Sequence, residues 1–277
     1  MQGFVCPKCY ENLILSGKSL VCSNNHCFDI SKSGYVNLLQ NNQSSSKRHG
    51  DDKLMVKART DFLNNGYYDK LIFTVANLVN KYSGENPVVL DAGCGECKYT
   101  DEVEKMLSSN CKSPVVLGVD ISKEAVNFGA KRNKNLNLAV ASISKLPIAN
   151  KSVDLVLNIF APSFPQEFSR ILNDNGYLIK VIPLENHLIE LKQAIYDVAY
   201  KNEIEDSELD GFIKLDEIKL EYMFNLENNQ DIKNLFMMTP YYYKTSIADQ
   251  KKLDNIEKLS VTAQFQIIVY KIKNSAE

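Results

Sequence analysis

The stretch Pro87-Val88-Val89-Leu90-Asp91-Ala92-Gly93-Cys94-Gly95-Glu96-Cys97-Lys98-Tyr99-Thr100 decides the fold. A continuous apolar run enters a glycine turn and then helix-forming residues. Such a run reads as a strand buried on both faces, as in parallel sheets. Gly93 and Gly95 can take positive φ and admit a ligand close to the backbone. In a Rossmann-like sheet this loop lies at the carboxyl edge of the strands, where ligands bind. A glycine loop alone is weak evidence, because many plain turns contain one. Two carboxylates sharpen it. Asp91 closes the strand and is placed to meet a cationic amino group or its water. Asp120 ends the next strand, where a carboxylate takes both hydroxyls of a ribose. A nicotinamide fingerprint would need glycine at position 98, which is Lys98.

Working outward, short apolar or β-branched runs recur between helix-length segments. They are 88–91, 115–120, 136–140, 153–159 and 177–182, with 265–272 near the end. Strands alternating with helices predict an α/β fold whose parallel sheet is covered on both faces. The last strand, 264–273, follows a long segment without clear strands and is expected to insert antiparallel. Upstream, Asp51 or Asp52 caps a helix through Leu63, which Asn64-Asn65-Gly66 ends, and a second helix spans 68–82. Later strand ends supply further candidates. Ser142 closes the third strand, Asn158 the fourth, and His187 opens a helix after the fifth.

The first 39 residues read differently. They are short, turn-rich and bear Cys6-x2-Cys9, then twelve residues, then Cys22-x3-His26. Paired knuckles at this spacing supply the soft or borderline ligands of a zinc tetrahedron. The residues between return across a hairpin over 13–21. A unit this small buries too little core to fold alone, so metal binding supplies much of its folding energy. His26 and the adjacent Cys27 compete for the fourth position on spacing alone. Four protein ligands leave no open site, so the zinc is structural.

The boundaries that follow are a zinc ribbon over 1–39, a polar linker over 40–50 and an α/β domain over 51–277. A net charge of −2 argues against a generic polyanion binder. Within it, residues 1–60 carry eight Lys/Arg against four acids, while 201–221 carry eight acids against three lysines. No run approaches a membrane span and the start lacks a secretory signal, so a cytoplasmic protein is expected.

Asp91-x-Gly93-x-Gly95 with Asp120 resembles the class I methyltransferases, which bind S-adenosylmethionine. A narrower resemblance covers nearly the whole chain. Cys6-Pro7-x-Cys9, Cys22 with His26, Phe28-Asp29-x-x-Lys32-x-Gly34-Tyr35-Val36-Asn37-Leu38-Leu39, the cofactor loop and Ala161-Pro162 resemble the bacterial 23S rRNA (guanine-N1)-methyltransferases. That resemblance implies a zinc ribbon joined to a class I domain, commonly as a homodimer, acting on a guanine in an rRNA hairpin near the peptide exit tunnel. It favours His26 as fourth ligand. It places Tyr68, Tyr99, Thr100 and His187 at the cofactor. Cys97 departs from it, standing where a glycine is expected and facing the helix start, where it would tighten the pocket. Asn158 departs too, standing where some members carry a basic residue. Guanine N1 needs a proton acceptor, and Asp51 and Asn158 are the candidates for the acceptor side, although Asp51 also reads as a helix cap. Lys47, Arg48 and Arg59 are the candidates for phosphate contact. A methyltransferase of another acceptor, or a zinc protein with a vestigial transferase domain, are the rival readings.

Overall fold

The computed structural model describes residues 1–40, 50–110, 113–204 and 206–273. The expected linker and the basic pair Lys47 and Arg48 lie outside the described residues, Gln40 and Gly50 excepted.

In chain order, β1 (Ile14–Ser16), β2 (Ser19–Val21) and β3 (Cys27–Asp29) form a small antiparallel sheet. Then come β4 (Tyr35–Asn37), α1 (Lys53–Asn64), α2 (Asp69–Tyr82), β5 (Val88–Ala92), α3 (Lys98–Asn110) and β6 (Val115–Asp120). They are followed by α4 (Lys123–Arg132), β7 (Asn137–Val140), β8 (Val153–Ile159), α5 (Pro165–Ile171), β9 (Leu172–Pro183) and α6 (Ile189–Ile195). The chain closes with β10 (Phe212–Leu226), α7 (Asn229–Met237), α8 (Ile247–Gln250) and β11 (Leu259–Ile272).

The large sheet has the order β10-β11-β9-β8-β5-β6-β7-β4. β11 inserts antiparallel between β9 and β10, and the other neighbours run parallel. Chain order reverses beside β5, so the loop after it opens at a switch point of the topology. Two expectations change here. The strand Tyr35–Asn37, read as part of the ribbon, is the edge strand of the large sheet. The segment read as strand-poor holds the fifteen-residue β10.

Each face of the sheet carries its own core. On one, Val89, Leu155 and Val181 pack against helical residues such as Phe62, Val75 and Leu107. On the other, Leu90, Val119 and Val156 meet Phe168 of α5 together with Phe4, Leu20, Val36 and Leu38 of the N-terminal unit. The ribbon thus acts as a covering layer where helices are few. Asp52 caps α1, its carboxylate accepting from the Leu54 and Met55 amides at 2.9 and 3.0 Å. That corrects the alternative that Asp51 is the cap.

Candidate active site

Strand β5 delivers Asp91 to the carboxyl edge of the sheet, 2 % exposed. The Thr100 hydroxyl donates to its Oδ2 at 2.6 Å, while its Oδ1 is buried without a partner. Burial pushes the Asp91 carboxyl up to about 7, with the Thr100 hydrogen bond opposing and the Asp120 charge adding. A buried oxygen without a donor is costly, and a ligand ammonium would satisfy it. Gly93 turns at φ 94°, and a Cβ there would stand 2.5 Å from that of Ala161. Asp120 accepts from the Gly95 amide at 2.9 Å and the Ser122 amide at 2.7 Å. Burial raises its carboxyl as well, against the pull of those two amides.

These groups border a cavity of about 910 Å³. It runs from Asp120 and Ser142 past Asp91 and Tyr68 to Phe160 and Pro162. The Tyr99 hydroxyl, on a cavity-lining residue, is buried and unpartnered. Tyr68 is buried, with its hydroxyl 3.4 Å from His187 Nε2. His187 Nδ1 accepts from the Gln264 amide at 3.3 Å. Burial, and then the charge of Lys192, hold His187 down at about 3, so its ring is neutral. Thr100 is fully buried behind Asp91 rather than on the cavity wall.

Three expectations shift. Asn158 is fully buried and does not line the cavity. Its amide donates to the Pro162 carbonyl at 3.1 Å and the Ala92 carbonyl at 3.4 Å, stapling the loop after β8 to the end of β5. Arg59 lines the cavity too, ion-paired with Asp51 and donating to the Met238 carbonyl at 3.3 Å. Cys97 turns away from the cavity. It is fully buried at φ 65°, with its sulfur against Gly129 of α4, so it does not tighten the pocket. Sequence reasoning missed Met238, Thr239, Pro240 and Tyr241, which also line the cavity. Their only sequence signal is the run of three tyrosines at 241–243. Phe160 is 46 % exposed at φ 51°, a left-handed residue held in place at the cavity.

The N-terminal knuckles converge separately. Cys6, Cys9, Cys22 and His26 bring their ligand atoms within 4.8 Å of one another. The Cys9–Cys22 sulfurs are 3.7 Å apart, and three sulfurs stand 3.4, 3.5 and 3.4 Å from His26 Nδ1. A tetrahedron with Zn–S about 2.3 Å and Zn–N about 2.05 Å has S–S edges of about 3.8 Å and S–N edges of about 3.5 Å. The residues fit zinc. Cys27 is exposed on β3 and outside the group.

A doubly wound sheet with a glycine loop, a lone buried carboxylate oxygen and a second strand-end acid defines a class I methyltransferase dependent on S-adenosylmethionine. The comparisons agree. Residues 83–226 match the methyltransferase-domain family, and residues 4–47 match the family described as RlmA, N-terminal. A Bacillus subtilis (strain 168) protein named as a 23S rRNA (guanine-N(1)-)-methyltransferase, YxjB, is 31% identical over 96% of this chain and 96% of its own. The 23S rRNA (guanine(748)-N(1))-methyltransferase of Streptomyces fradiae is 34% identical over 69% of this chain and 66% of its own. Among solved structures, the YcgJ protein of Bacillus subtilis aligns at TM-score 0.48 and 13% identity, over 74% of this chain and 98% of its own. The chain belongs to the 23S rRNA (guanine-N1)-methyltransferase family, with S-adenosylmethionine as cofactor and a structural zinc in its N-terminal ribbon.

Proposed function

We propose that this chain methylates N1 of a guanine in a hairpin of 23S rRNA. The observation that carries the reading is a single cavity that holds a cofactor end, at Asp91 and Asp120, and an open aromatic end, at Phe160 and Pro162. The cofactor supplies an electrophilic methyl on a sulfonium, so the protein's task is mostly alignment. Asp91 holds the amino group, Asp120 the ribose hydroxyls, and Ser142 lies on the adenine side. Tyr68, Tyr99 and His187 line the remaining cofactor wall, with Thr100 orienting Asp91. Phe160 offers a face on which a flipped base stacks. Asn158 positions that loop from behind.

Guanine N1 must lose its proton. Asp91 and Asp120 face the cofactor, and the Glu96 side chain, ion-paired with Arg132, is only 2 % exposed. Asp51 remains among the cavity carboxylates, 23 % exposed at its side chain and held by Arg59. It is the proton acceptor of this reading. Lys47 and Arg48, on the segment before it, belong to phosphate contact, with Arg59 at the cavity wall. The homodimer that the resemblance implies and the cytoplasmic location expected from the sequence belong to the same proposal. No described helix is long and apolar enough to cross a membrane.

The test is mass mapping of 23S rRNA hairpin transcripts after incubation with enzyme and S-adenosylmethionine. One N1-methylguanine is expected, and its absence rejects the reading. Asp51→Asn should lower turnover by about a hundredfold while leaving cofactor affinity within about twofold.

A further inference from the structure

The zinc ribbon and the cofactor cavity meet at one loop. Residues 141–152 run from the end of β7 to the start of β8, and Ser142 and Ile143 line the cavity. The N-terminal unit grips this loop from two sides. On one side β4 pairs in parallel with β7, and the Leu38 amide donates to the Val140 carbonyl at 2.9 Å. On the other side the first zinc knuckle lies against the loop itself. The Val5 amide donates to the Pro147 carbonyl at 2.9 Å. The ring of Tyr10, next in sequence to Cys9, stands 5.8 Å from Lys145 Nζ and 5.7 Å from the Arg170 guanidinium. Arg170 in turn donates to the Leu146 and Ile148 carbonyls at 3.0 and 2.8 Å. Its ion-pair partner Glu167 accepts from the Leu146 amide at 2.5 Å.

Tyr10 sits at φ 62°, and its amide donates to the Cys6 carbonyl at 2.8 Å. The turn that presents Cys6 and Cys9 to the metal is therefore the turn that aims the Tyr10 ring. A zinc tetrahedron needs the turn but not the contact of that ring with Lys145 and Arg170.

We propose that the zinc knuckle is a positioning element of the cofactor site. Tyr10, through Lys145 and Arg170, holds loop 142–148 in the shape that cofactor binding requires, so zinc and S-adenosylmethionine bind cooperatively. The inference rests on the cavity being the S-adenosylmethionine site. Its physical content is simple. Metal ties Cys6 and Cys9 to Cys22 and His26, and without it the Cys6–Tyr10 turn loses its anchor. The coupling is reciprocal by thermodynamic necessity.

The test is calorimetric titration of S-adenosylmethionine into four samples of the full chain: zinc-loaded, chelator-treated, zinc-loaded Tyr10→Ala and zinc-loaded Tyr10→Phe. Chelation should weaken binding by about fivefold or more. Tyr10→Ala, with its zinc content verified, should weaken it by about threefold, the worth of an exposed cation–π contact. Tyr10→Phe keeps the ring face and should match the unaltered protein. If chelation unfolds the whole chain, the Tyr10 pair decides. Unaltered affinity in Tyr10→Ala, or in a chelated protein that stays folded, overturns the proposal. Failure of the zinc-loaded protein itself to bind S-adenosylmethionine would instead strike down the cofactor reading beneath it.

Discussion

Asp91 shows how one residue sets the conditions for binding. Its carboxyl is held up at about 7, chiefly by burial. A bound ammonium needs it ionised. Below pH 7 a proton sits there that binding must expel, so affinity should rise with pH, by up to about tenfold per unit, and level off above 7. Calorimetry at pH 5.5, 6.5 and 7.5 would trace this. Asp91→Asn should flatten the profile and weaken binding by about tenfold or more, the loss of a charge-assisted hydrogen bond. A profile equally steep in the variant would assign the titration to another group. Asp91 was legible because strand, turn and acid are contiguous in sequence. Asn158 was only half legible. Its place at a strand end could be read, but its amide faces two backbone carbonyls, and one of them, that of Ala92, lies 66 residues away in the chain. Tyr241 and Met238 were not legible, since no spacing links them to the glycine loop.

At the scale of elements, α3 and α4 meet at an unusual pair. Cys97 takes a left-handed conformation just before α3, a position that favours glycine. Its sulfur occupies the space that a Cβ at Gly129 would need, only 2.3 Å from where that atom would stand. In most helices Gly→Ala gains about 1 kcal/mol. Here Gly129→Ala should instead destabilise by about 1–3 kcal/mol through overpacking. Adding Cys97→Gly should recover about 1 kcal/mol or more of that loss. Thermal unfolding of the two single variants and the double variant would measure the coupling, and a stabilised Gly129→Ala would refute the packing account. Strands 115–120 and 153–159 are read from sequence with their observed bounds, because burial on both faces leaves a largely apolar run, interrupted in the second only by Asp154 and Asn158. β10 escaped because charged residues, Lys214, Asp216, Glu217, Lys219 and Glu221, interrupt any continuous apolar run. Its period of two, Ile218, Leu220, Tyr222 and Phe224 against charged or exposed neighbours, is nonetheless present. Three-residue β4 is too short for any period to mark it.

For the molecule as a whole, the N-terminal unit completes the enzyme's second core. Phe4, Leu20, Val36 and Leu38 pack among sheet residues, and β4 closes the sheet edge. The zinc-loaded protein should therefore unfold in one cooperative transition, with zinc released over the same temperature range. Calorimetry with a zinc indicator would follow both, and zinc loss well before the main transition would show two independent units. The same edge strand also has a history during synthesis. Tyr35 pairs with Leu138, a residue made 103 positions later. At roughly 5–20 residues per second the ribosome needs about 5–20 s to supply that partner. The ligands Cys6 to His26 are local and complete long before then. The metal-bound knuckle can thus close first and wait as a preformed seat, and the last strand of the N-terminal unit docks only when the third parallel strand emerges.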